Sequence, residues 1–92
     1  MLKVKYAGEY QEKLKGLVER QPGLKDEIGK KMRWFRKNPM DARLGDHGLK
    51  RNLRGKRAFS ITSDVRVVYR QTGKNSVDFL DIGGHEKVYG ES

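Results

Sequence analysis

The chain contains no cysteine, only two prolines and no run of 18 or more apolar residues. Without cysteine there are no disulfides and no thiolate metal site, which is consistent with a reducing compartment. Without a long apolar run no helix can span a bilayer. The opening Leu2-Lys3-Val4-Lys5-Tyr6 is not preceded by an apolar signal region, so the expectation is a soluble, cytoplasmic protein. Apolar residues are also scarce, at 35% of 92 positions, and aromatics make up 9%. One small core in one domain spanning residues 1–92 is what such a chain can build. Acidic residues are outnumbered, 12 against 21 lysines and arginines, leaving a formal charge of +9. A field of that sign attracts polyanions, whether nucleic acid, a ribosomal surface or an acidic protein, and decides nothing about the fold.

Hydrophobic periodicity divides the chain into elements. Leu2, Val4 and Tyr6 alternate with Lys3 and Lys5, the pattern of a half-buried strand. Tyr10, Leu14, Leu17 and Val18 recur at helical spacing, predicting a helix over residues 7–20. Gln21-Pro22-Gly23 interrupts it, and Leu24, Ile28, Met32 and Phe35 mark the buried face of a second helix that Asn38-Pro39 ends. Trp34 is expected at the edge of the core or against a partner. Residues 40–56 read as a long loop that Leu44, Leu49 and Leu53 pin to the domain. Three runs follow, residues 57–61, 65–71 and 76–82, rich in β-branched and aromatic side chains and joined by short polar connectors. They predict an antiparallel meander. The fold class expected is α+β with the order β-α-α-β-β-β, a helix hairpin packed on one face of a small antiparallel sheet.

In the middle strand of the meander, Val65, Val67 and Tyr69 point one way, while Arg66, Val68 and Arg70 point the other. The first set faces the core; the second puts two guanidinium groups on an open face. The only histidines are His47, before the meander, and His85, after Gly83-Gly84 at its end. Imidazole exchanges protons near neutral pH. Two such groups flanking an arginine suit RNA cleavage. A base removes the 2′-hydroxyl proton, the guanidinium binds the phosphate with its planar fork, and an acid protonates the departing 5′-oxygen. No metal and no other cofactor is needed, and no cluster has metal-ligand spacing. Lys50, Arg51, Arg54, Lys56 and Arg57 crowd five cations into eight residues. Tyr89 is either a stacking platform for a base or an anchor for the tail.

The segment Leu49-Lys50, Leu53-Arg54-Gly55, Arg57, Ile61, Asp64-Val65-Arg66-Val67-Val68-Tyr69, followed by Ile82-Gly83-Gly84-His85-Glu86-Lys87-Val88-Tyr89, resembles the RelE/ParE superfamily of toxins from toxin–antitoxin systems. Within it the chain is most similar to the YafQ- and YoeB-like mRNA interferases, along nearly its whole length. The resemblance implies a microbial-RNase fold that cuts mRNA in the A site of the 70S ribosome and is neutralised by an acidic antitoxin, the free toxin being a monomer. It places His47 where such toxins carry a base, Arg66 on their phosphate-binding arginine and His85 on their C-terminal histidine. Asp64 matches an aspartate of YafQ-like members and Tyr89 a C-terminal tyrosine of some relatives. Lys50, Arg51, Arg54, Arg57 and Arg70 are left as supporting phosphate or RNA contacts. Ser60 stands where YafQ-like members often carry another histidine, so either His47 or His85 can be the acid or the base. The alternatives are a ParE-type toxin that poisons gyrase on the same fold and an inactive basic RNA-binding module.

Overall fold

The computed structural model describes residues 2–49 and 55–84. Strand β1 (Lys3–Tyr6) leads into helices α1 (Gly8–Arg20) and α2 (Leu24–Lys37), a 3₁₀ turn (Ala42–Leu44) and a two-residue strand β2 (His47–Gly48). Strands β3 (Arg57–Ser60), β4 (Val65–Gly73) and β5 (Ser76–Gly84) complete the order. The helices start and stop within a residue or two of the expected positions. Both keep acid in the first turn and base in the last, Glu9 and Arg20 in α1, Asp26, Glu27, Arg36 and Lys37 in α2, which complements the helix dipole.

The strands lie in the order β1-β5-β4-β3-β2. The meander is antiparallel as expected, with Ala58 opposite Val68 and Val68 opposite Asp81. Two features refine the expectation. β1 runs parallel to β5, Val4 beside Val77 and Tyr6 beside Phe79, so the sheet is mixed rather than wholly antiparallel. The segment read as loop contains the 3₁₀ turn and a fifth strand, β2, paired to β3 through His47–Ala58 and Gly48–Arg57.

The helix pair covers one face of the sheet. Tyr10 and Leu17 from α1, Ile28 and Phe35 from α2, and Phe59, Ile61, Val65, Val67, Tyr69, Val77, Phe79 and Ile82 from the sheet form one core that Leu44 also enters. Phe35 stacks on Phe59 with ring centroids 4.5 Å apart and meets Tyr69 and Phe79 edge-on at 4.9 and 5.5 Å. A chain poor in apolar residues thus concentrates its aromatics at the centre, where each pair adds about 0.5–1.5 kcal/mol beyond area burial. Lys31 ties α2 to the sheet by donating to the Ile61 carbonyl at 2.9 Å. Trp34 sits at the edge of this core beneath Arg43, whose guanidinium carbon lies 3.6 Å from the ring centroid. The opposite face is not fully open, because Leu49 packs over the buried pair Ala58 and Val68.

Candidate active site

Strand alternation decides what stands on the face away from the helices. Val65, Val67 and Tyr69 are buried in the core, so Arg66, Val68 and Arg70 project to the other side. Residues opposite one another in an antiparallel pair share a face. Ser60 is opposite Arg66, and Ala58, opposite Val68, is itself opposite His47. His47, Ser60, Arg66 and Arg70 therefore occupy one face. His47 and Arg66 are separated by two strand spacings sideways, about 10 Å, and two residues along the strand, about 7 Å.

The His47 ring lies 3.0 Å through Nδ1 from the Gly45 carbonyl. A carbonyl can only accept, so Nδ1 carries the proton and the basic lone pair of the neutral ring is on Nε2. Gly45 accepts from this position because it turns through φ 61°, the left-handed region, at the end of the 3₁₀ turn.

Arg66 is on the expected face but its guanidinium is turned toward the β3–β4 connection. Its Nη1 donates to the carbonyls of Thr62 at 2.9 Å and Ser63 at 3.1 Å. That connection lies beyond Ser60, on the side of Arg66 away from His47. The structure thus brings the two side chains to one face and not to one point. Asp64 is exposed in the same connection, its backbone N–H donating to Thr62 Oγ1. It also lines a groove of about 760 Å³ between α1 and the ends of β4 and β5, with Lys13, Arg20, Gly83 and Gly84 among its walls. Gly83 is opposite Arg66 and Gly84 opposite Val65, so β5 ends beside Arg66 and Asp64. Arg70 is exposed and opposite Asp78. His85, Tyr89, Lys50, Arg51 and Arg54 lie outside the described residues.

Arg57 has a different setting from the phosphate contact expected of it. It is opposite Tyr69 and Gly48, on the helix side of the sheet. Its Nε donates to Asp46 Oδ1 at 2.7 Å, and the Tyr69 hydroxyl donates to Asp46 Oδ2. The hydrogen bond to Asp46 raises the Arg57 pKa, while burial, followed by the same carboxylate, pushes the Tyr69 hydroxyl up. The Asp46 side chain is 2% exposed. Asp46 was missed in the sequence; the available signal was a carboxylate directly before the candidate histidine in a loop otherwise rich in cations.

Among the described residues no helix is long and apolar enough to cross a membrane. A search of curated protein sequences found no match. Solved structures do match in fold. YafQ from Escherichia coli BL21(DE3) superposes with a TM-score of 0.80 at 21% identity, covering 98% of this chain and 100% of that one. A copper-bound mutant toxin from Helicobacter pylori gives 0.72 at 26%, covering 96% and 99%. The E. coli DinJ–YafQ complex gives 0.78 at 21%, covering 98% and 100%. The profile of the family described as the bacterial toxin of type II toxin–antitoxin systems, YafQ, matches residues 2–90. A fold shared with these toxins, together with a family match along nearly the whole chain, leads to one conclusion: this chain belongs to the YafQ family of type II toxin–antitoxin toxins.

Proposed function

We propose that this toxin is a ribosome-dependent endoribonuclease that cuts mRNA in the A site without a metal ion. The observation that carries the reading is the placement of His47, its lone pair on Nε2, on the same sheet face as Arg66. In the reaction one imidazole, His47 or His85, takes the proton of the ribose 2′-hydroxyl. The 2′-oxygen attacks phosphorus and the bond to the 5′-oxygen breaks, leaving a 2′,3′-cyclic phosphate. The other imidazole returns a proton to the 5′-oxygen. Arg66 holds the phosphate and the charge that develops on it, with Arg70, Lys50, Arg51 and Arg54 drawing in the backbone. Asp64 directly precedes Val65, which is opposite Gly84 at the end of β5.

Arg66 has to leave the Thr62 and Ser63 carbonyls for this. The bond to Thr62 is part-buried and the bond to Ser63 exposed, and a hydrogen bond from a charged donor is worth about 1.5–3 kcal/mol net. A bidentate, charge-assisted pair with phosphate is stronger, so the substrate selects the productive rotamer. An acidic antitoxin is the matching protein partner. The net charge of +9 attracts one, and the similar E. coli YafQ has been solved in complex with DinJ. Purified toxin added to translating ribosomes should arrest them and leave mRNA cut at the A site. Arg66→Ala or His85→Gln should remove most of that activity; wild-type cleavage by both variants overturns the site. Trapped DNA–gyrase complexes with intact mRNA would select the ParE-type alternative.

A further inference from the structure

Given the reading of His47 as a proton-transfer group, on which this rests, we infer that Asp46 is its positioning residue, a clamp on the core side of the sheet that presents the imidazole on the other side. β2 is only two residues long and has two register pairs with β3, too little to hold a catalytic side chain in place. The residue before it supplies what the strand lacks. Asp46 reaches to the helix side, where Arg57 Nε and the Tyr69 hydroxyl grip its two oxygens separately. Arg57 and Tyr69 are themselves opposite one another on β3 and β4, and the Tyr69 ring is locked in the aromatic core by Phe35 and Phe59. Asp46 is thus tied to the aromatic core.

The clamp also governs the ring nitrogen. Asp46 lies between Gly45, whose carbonyl accepts, and His47, whose Nδ1 donates. Holding the middle residue fixes both ends of that hydrogen bond, and with it the tautomer that leaves the lone pair on Nε2. A nearly buried carboxylate, 2% exposed, with both oxygens engaged by directional donors resists rotation far better than an exposed pair of charges.

The test uses Asp46→Asn and Tyr69→Phe, the second of which keeps the aromatic ring and removes only the hydroxyl. Ring-nitrogen NMR of the free toxin should show His47 as the Nδ1-protonated tautomer in the wild type and a mixture of tautomers in both variants. On translating ribosomes, Asp46→Asn should lower kcat on the order of 100-fold, the loss typical of a displacement of about 1 Å, with KM nearly unchanged. Tyr69→Phe should lose less. In a His47→Gln background neither change should lower the rate further, since each acts through the imidazole. An unaltered tautomer in folded variants overturns the inference, as does a loss from Asp46→Asn that persists in full without His47. If the wild type cuts no mRNA the nuclease reading fails, and the NMR comparison still decides whether Asp46 holds the ring.

Discussion

Asp41 and Arg43 show how local chemistry shapes the approach to the site. Asp41 accepts from Arg43 Nε and from its backbone N–H, both at 3.0 Å, and from Nη2 at 2.8 Å. These bonds hold the carboxyl at about 2, below its ordinary 3.8. A depressed carboxyl stabilises the fold fully above its unfolded pKa, and the contribution disappears as pH falls through the folded value. The clasp should therefore be intact above about pH 4 and be lost as pH falls through about 2. Carboxyl NMR should give Asp41 a midpoint of about 2, and Arg43→Ala should return it to the ordinary range. At this same scale the sequence was legible where side chains alternate. Val65, Val67 and Tyr69 against Arg66 and Arg70 sorted onto the expected faces. The setting of Arg57 is not legible in the sequence, because its charge is visible there and its partner is not. Asp46 lies eleven residues away and meets it only through the pairing of β2 with β3.

Elements were legible in proportion to their length. Helices of 13 and 14 residues carry several repeats of the apolar period, and both were placed closely. β2 has two residues and no period to read. The parallel pairing of β1 with β5 joins opposite ends of the chain, which no local pattern encodes. Glycine at this scale has opposite values in different elements. Gly45 turns the 3₁₀ segment into β2 with φ 61°, and a methyl group there would lie 3.6 Å from Ser60 Oγ, without a clash. Gly45→Ala should therefore cost backbone strain alone, about 1–2 kcal/mol, and Gly45→Asn less. Gly29 sits inside α2, where a methyl would meet only the far end of the Arg33 side chain at 3.5 Å. Gly29→Ala should stabilise by about 1 kcal/mol. Chemical denaturation of the three variants reads both signs against the wild type.

The whole molecule divides its labour between the two faces of one sheet. The helix side holds the aromatic core and the Asp46 clamp; the other side displays His47, Ser60, Arg66 and Arg70 on backbone that the core keeps stiff. A net charge of +9 favours polyanions, and the family to which the chain belongs supplies the toxin role. Attraction alone cuts nothing, so the proposed cleavage requires His47 and Arg66 to serve one phosphate. The direct measurement is single-turnover cleavage of ribosome-bound mRNA with analysis of the product ends. Wild-type toxin should cut at the A-site codon and leave a 2′,3′-cyclic phosphate. His47→Gln and Arg66→Ala should each slow that step by about 100-fold or more, the range of general acid–base and charge-stabilising groups. Intact mRNA with the wild type, or wild-type rates with either variant, contradicts the account.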